Sequence, residues 1–351
     1  MPKQMRARNF VFVGIIGLIM LAVWLIFATL PAKISDSGPS ATQLAPTLDT
    51  TEHLSGGHLD GQLLFTRAGN LWAWRGNEAR RLAVFPGNSA VANNKVQLLG
   101  AVWSSNQSQL AYIRQDESFA DLWVVNADGS APHKLTSDSG TGVPRSNDFA
   151  KSSLWAFSPT WSPDGTQLAY LADVQTNDLA LWVMPAKGGQ PRKVSDLGTG
   201  QGGMQHLSWS PTGNQIAVAA FSNGKSQLYV INPTNGTSVQ ITNANDGAYD
   251  PAFSPDSKFI AYTQRKGQGS ELWMAAPTEG SHPIFIAPGP TRAPAWSPDG
   301  SKIAYLHLGK SSFEIYAVGV NTKGQVGPQG TAQQISNEAQ VDATGGLSWG
   351  K

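Results

Sequence analysis

Ala293–His307 reads APAWSPDGSKIAYLH, and Glu314–Val320 continues it as EIYAVGV. The phrase has the form of strand, tight turn and strand. An apolar run closes on Trp296, and Ser-Pro-Asp-Gly follows, in which proline pre-sets φ and glycine accepts a positive φ. A second apolar run then carries the small-aromatic pair Ala304-Tyr305. Related phrases begin at Trp103 (WSSNQSQLAYIR, then DLWVVNADGS), Trp161 (WSPDGTQLAYLA, then LALWVMPAKGG), Trp209 (WSPTGNQIAVAA, then QLYVINPTNG) and Phe253 (FSPDSKFIAYTQ, then ELWMAAPTEG). The anchor aromatics from Trp103 to Trp296 stand 58, 48, 44 and 43 residues apart, and a last one, Trp349 in GLSWG, follows after 53.

Each unit resolves into four short strands. The first ends on the anchor, and the second carries Ala111-Tyr112, Ala169-Tyr170, Ala261-Tyr262 or Ala304-Tyr305. The third carries Leu122-Trp123, Leu181-Trp182, Leu228-Tyr229, Leu272-Trp273 or Ile315-Tyr316, an aromatic series expected in the core. The fourth is short, as in Lys134–Thr136, Lys193–Ser195 and Gln240–Thr242. Four strands at this period describe a propeller blade. At the front of the repeats, Gln62–Phe65 matches a second strand, Asn70–Trp72 a third and Arg80–Leu82 a fourth, with no first strand before them. At the back, Gly346–Trp349 is a first strand with nothing after it. Joined, the two ends make one blade and leave no open sheet edge. The expected fold is all-β, a six-bladed propeller over residues 59–351, closed by a shared N- and C-terminal blade.

The WSPDGxxIAY phrase with its following Leu-Trp strand and DGS turn resembles the PD40 repeat, the WD40-like repeat of TolB-type propellers, across roughly residues 60–351. The resemblance implies the fold closely and the function loosely, because such blades serve binding proteins, peptidase gating domains and some lyases. Two departures stand out: no α/β domain is recognised ahead of the repeats, and a membrane-anchor-like segment stands there instead.

That segment is Phe10–Leu30, FVFVGIIGLIMLAVWLIFATL, 21 residues without a charge. As a helix it spans about 31 Å, the thickness of a bilayer core. Lys3, Arg6 and Arg8 precede it, which predicts a cytoplasmic tail over 1–9 and export of everything after Leu30. A cleaved signal peptide has a shorter apolar region and a small-x-small site, which Ala28-Thr29-Leu30-Pro31 fits poorly. Residues 31–58 are rich in Ser, Thr, Pro and Gly and read as a flexible linker, with His53 and His58 solvated. The expected placement is a single-pass protein of the cell membrane, its propeller periplasmic or cell-surface.

Composition narrows the function. The 351 residues hold 25 Lys+Arg against 24 Asp+Glu, a balance that offers no footprint for nucleic acid. Cysteine is absent, which excludes disulfides, thiol catalysis and thiolate-held metals. Gly 37 and Pro 22 fit many short strands and tight turns rather than a helical bundle. No Walker A loop or His-Glu-x-x-His occurs. Asp164, Asp256 and Asp299 recur in the first turns, where aspartate bonds local backbone. The sequence therefore predicts no catalytic, cofactor-binding or metal-binding residue and no cofactor.

What remains is a loop face. The longest irregular stretch, Ser137–Ser158, carries Arg145, Asp148, Phe149, Lys151 and Trp155. Just before the inner strands stand His206, Tyr249, Asp250 and Arg292, expected near the channel mouth on the same face. Arg145, Trp155, His206, Tyr249, Asp250 and Arg292 are the candidate partner-binding residues. The expectation is a non-catalytic, membrane-tethered propeller that binds a protein or peptide partner outside the cytoplasm. The alternatives are a carbohydrate-binding or oligosaccharide-lyase-like enzyme and a ligand sensor; of these, the lyase requires a cluster of three or more metal-ligating side chains at the channel.

Overall fold

The computed structural model describes residues 53–82, 96–115, 120–136, 155–173, 179–198 and 203–351. Within them the chain forms six antiparallel sheets. Blade 1 holds β1 (His53–Arg67), β2 (Asn70–Arg81) and, from the other end of the chain, β23 (Ser348–Gly350). Blade 2 is β3 (Gln97–Trp103), β4 (Gln109–Gln115), β5 (Ala120–Asn126) and β6 (His133–Lys134). Blade 3 is β7 (Ala156–Trp161), β8 (Gln167–Ala172), β9 (Ala180–Pro185) and β10 (Arg192–Ser195). Blade 4 is β11 (Met204–Trp209), β12 (Ile216–Ser222), β13 (Lys225–Ile231) and β14 (Ser238–Gln240). Blade 5 is β15 (Ala248–Phe253), β16 (Ile260–Lys266), β17 (Gly269–Ala275) and β18 (Ile284–Ala287). Blade 6 is β19 (Thr291–Trp296), β20 (Lys302–Leu308), β21 (Phe313–Asn321) and β22 (Gly327–Gln334). The innermost strands touch in sequence, β3 to β7, β11, β15, β19, β23 and back to β3, so the ring is closed.

The strands bury both faces, because each sheet is sandwiched between two others. In β4, Leu110 and Tyr112 join the core against blade 1, while Ala111 and Ile113 join the core against blade 3. The same alternation gives six apolar clusters, one for every seam between neighbouring blades, the closing seams included. Tyr112, Tyr170, Tyr262 and Tyr305 are fully buried in these seams. Of the third-strand aromatics, Tyr229 and Trp72 are buried as expected, and the others lie shallower. Trp123, Trp182, Trp273 and Tyr316 are only half-buried.

Closure follows the predicted plan. Gln62, Leu63 and Leu64 pair with Gly350, Trp349 and Ser348. The turn residues behave as their chemistry dictates: Asp164 accepts from Ser162 Oγ at 2.6 Å and Thr166 N at 3.0 Å. Asp256 and Asp299 repeat this with Ser254 and Lys258, and with Ser297 and Ser301.

The beginning of the propeller differs from the expectation. Strand β1 starts at His53, inside the stretch read as linker, and His53–Ser55 pairs with Glu78–Arg80 of β2. Arg80 and Arg81 therefore extend a third strand instead of forming a fourth, and blade 1 has three strands among the described residues. Residues 53–58 are mostly exposed and show no apolar alternation, so composition alone resembles a linker; Gly57 N–H donating to the Ile335 carbonyl at 2.7 Å fixes them to blade 6. Among the described residues no helix is long and apolar enough to cross a membrane. The expected anchor at 10–30, the tail before it and residues 31–52 lie outside the described residues, as does Arg145.

Candidate functional site

Three residues before each anchor aromatic, the backbone turns left-handed. The positions are Gly100, Ser158, His206, Asp250, Ala293 and Gly346, with φ of 58°, 48°, 50°, 53°, 49° and 66°. In five blades the turn coincides with a break in register between the first and second strands, as between Gln205 and Leu207 or Tyr249 and Ala252. This is a β-bulge, which bends a strand and re-aims its side chains. Four of the six are not glycine, a conformation that costs an L-residue of order 1–3 kcal/mol and persists only where its surroundings impose it.

All six left-handed residues line one cavity of about 420 Å³ on the ring axis. It sits at the starts of the inner strands and the ends of the second strands, where Ile113 and Gln115 also reach it. That is the face of the second-to-third and blade-to-blade connections, opposite the Ser-Pro-Asp-Gly turns. The walls differ. Blades 1 to 3 contribute Leu347, Leu99, Val102, Phe157 and Pro159 beside the uncharged Gln97 and Gln115, whereas blades 4 to 6 contribute the charged or titratable His206, Asp250 and Arg292 beside Leu207, Pro251 and Pro294.

These three side chains form one cluster. Arg292 donates from Nε to Asp250 Oδ2 at 2.7 Å and, weakly, from Nη2 to Oδ1 at 3.5 Å. The Ala293 N–H also donates to Oδ2, at 3.1 Å. His206 Nδ1 lies 2.9 Å from Oδ1, an ion-pair contact too oblique for a well-aligned hydrogen bond. The Asp250 side chain is 4% exposed, His206 35% and Arg292 39%. Burial pushes the Asp250 pKa up, but the neighbouring His206 and Arg292 outweigh it and hold the carboxyl well below its ordinary value. Asp250 in turn raises the Arg292 pKa further. The cluster thus spans three blades with a fixed anion at its centre.

The structure treats the other sequence candidates differently. Tyr249 precedes Asp250 in β15 and pairs with Thr263, but it is not among the cavity-lining residues. Trp155 is half-buried in the seam of blades 2 and 3: it bridges to Ala120, donates its N–H to Asp173 at 2.8 Å and stacks on Phe157. Its packing duty is therefore larger than a loop position suggests. Among the described residues no group of three or more His, Asp or Glu gathers as for a metal.

Two short patterns escaped the reading of the sequence. Gly346–Gly350 spells Gly-x-Ser-x-Gly, the spacing of a hydrolase nucleophile elbow. Ser348 instead lies in the closing strand β23, paired with Leu64, and its Oγ accepts from Trp103 N at 3.3 Å. Gly198–Gly203 spells Gly-x-Gly-x-x-Gly, but a strand, β11, follows it rather than the helix a dinucleotide site requires.

Comparison with known proteins agrees with this architecture. The family model of the TolB beta propeller domain (PD40) matches residues 144–326. A TolB homologue of Chlorobium chlorochromatii is 25% identical over 244 residues, which is 68% of this chain and 49% of that protein. An uncharacterized peptidase of Bacillus subtilis, YuxL, is 24% identical over 205 residues, 46% of this chain and 28% of the peptidase. The chain thus spans between about a quarter and a half of the length of these relatives. The crystal structure of TolB from Acinetobacter baumannii superimposes with a TM-score of 0.63 at 15% identity, covering 84% of this chain and 68% of that one, a likeness of fold.

Proposed function

Because the chain belongs to the TolB beta propeller family, we propose that it is a non-catalytic binding propeller that takes a protein or peptide partner at its channel mouth. The observation that carries this reading is the cavity of about 420 Å³, apolar on one side and faced by His206, Asp250 and Arg292 on the other. A concave apolar site with a few convergent polar groups is the form a recognition site takes. The left-handed backbone at His206 and Asp250 supports it, since strain of this kind collects at ligand sites. In the same reading, residues 10–30 hold the chain in the membrane, 1–9 remain in the cytoplasm, 31–52 act as a linker, and the propeller stands in the periplasm or at the cell surface. The face around the channel, with Arg145 and Trp155 on the segment leading into β7, then meets a partner outside the cytoplasm.

The test is chemical crosslinking in native membranes, with wild-type full-length chain beside Arg292→Gln. A partner captured by the wild type and lost from the variant, at a temperature where both are folded, is the expected result. A partner retained equally by the variant overturns the channel mouth as its site.

A further inference from the structure

Resting on that binding role, we infer that the channel site selects a carboxylate carried by an apolar fragment. The anion on the polar wall is already occupied. Asp250 Oδ2 accepts from Arg292 Nε and Ala293 N, Oδ1 faces His206 Nδ1 and Arg292 Nη2, and the side chain is 4% exposed, so the carboxylate is turned into the cluster's own donors and away from a ligand. What the cavity meets is the donor side of the cluster. Arg292 Nη1 and His206 Nε2 make no hydrogen bond among the described residues, and more than a third of each side chain is exposed.

Geometry makes this a directed site. Asp250 fixes the guanidinium through Nε and Nη2, which leaves the outer edge of the planar fork turned from the carboxylate. A ligand carboxylate is the planar acceptor that matches such a fork. Asp250 beside Nδ1 favours a proton on that nitrogen and leaves Nε2 as the edge presented to a ligand. Asp250, Arg292 and His206 are the charged or titratable groups that line the cavity. A bound cation meets the guanidinium with no free carboxylate to compensate, whereas an anion does not.

The facing wall sets the rest of the ligand. Leu99, Phe157, Pro159 and Leu347 form an apolar surface across the axis, and a cavity of about 420 Å³ has room for a small fragment beside it. The apolar wall also lowers the local dielectric, which strengthens the charge-assisted bonds. Two sources share this chemistry: the free C-terminus of a peptide ending in an apolar residue, and an acidic side chain next to one.

The experiment is calorimetry on the full-length chain in detergent with three probes: N-acetyl-leucine, its neutral amide, and N-acetyl-leucyl-glutamate with its C-terminus amidated. A carboxylate probe is expected to bind tighter than the amide by about tenfold or more, the range of a hydrogen bond to a charged group. If N-acetyl-leucine leads, the natural source is a chain terminus; if the glutamate probe leads, it is a side chain. Arg292→Gln should remove the preference and Arg292→Lys should keep part of it. In wild type labelled at histidine carbon, the His206 resonance, assigned by its loss in His206→Gln, should move with the carboxylate probe and not with the amide. Equal affinity for acid and amide, or no binding of either carboxylate at millimolar concentration, overturns the inference. A crosslinked partner lost in Arg292→Gln leaves the binding role standing even then.

Discussion

Trp349 donates its indole N–H to the backbone carbonyl of Asp60 at 2.8 Å, across 289 residues of chain. The bond lies at the seam where the last strand enters the first blade. Around it, Asp342 N–H donates to the Thr66 carbonyl at 2.9 Å, and Arg67 Nε to the Ala339 carbonyl at 2.8 Å. The two ends of the propeller are thus one sheet, and every blade depends on them through its two neighbours.

Cutting the chain after Ala343 should accordingly destabilise the whole ring, because Leu63 and Leu64 lose their partner strand and Leu347 and Trp349 leave the core. The single change Trp349→Ala should cost about 2 kcal/mol, below the 3–5 typical of a fully buried tryptophan since Trp349 is only partly buried. Thermal unfolding of the full chain and both variants reads this, and an unchanged midpoint for the truncation contradicts the shared blade.

Asp250→Ala should be the more damaging change, at about 2–3 kcal/mol. It strands the Arg292 charge beside the cavity, an effect moderated by the guanidinium's partial exposure. The pH dependence has a definite sign. The folded pKa of Asp250 lies well below its ordinary 3.8, so its contribution is fully present above about pH 4 and is lost as the pH falls through the lowered value. Denaturant melts from pH 6 downward should show a steeper loss in the wild type than in Asp250→Asn.

The turns make a milder prediction on the opposite face. Asp299 is held down to about 2 by the Ser297 hydroxyl and the N–H and hydroxyl of Ser301. Its contribution is present above its ordinary 3.8 and lost as the pH falls towards 2. Asp299→Asn should lower stability slightly and leave partner capture unchanged. Loss of capture with normal melting would place the binding surface on this side instead.

Trp155→Ala should now affect stability as well as binding, by about 1–2 kcal/mol, because the ring is half-buried against Phe157 and the seam. Arg145→Ala, in contrast, should leave the melting curve in place. Comparing both in melting and capture separates packing from recognition.

Much of this was legible in the residues. Repetition of the Trp-Ser-Pro-Asp-Gly phrase gives the blade, and an orphan second strand at Gln62 with an orphan first strand at Trp349 gives the closure. The bulge ring was not legible by residue type, since Gly, Ser, His, Asp, Ala and Gly occupy it. Its constant offset, three before each anchor, was the available signal. His206, Asp250 and Arg292 were found by position, but their roles were not: sequence leaves Asp250 open as a ligand-facing acid, whereas the fold surrounds it with donors. The start of β1 was missed because an exposed strand rich in glycine and histidine lacks the alternation that marks a half-buried one.

The most direct measurement places a photo-crosslinking residue, p-benzoylphenylalanine, at Gln97 on the cavity rim, and separately at Lys258 on the opposite turn, in the full chain in native membranes. The account predicts a partner adduct from position 97 that a carboxylate probe suppresses, and none from position 258. An adduct from position 258 with nothing at 97 contradicts it.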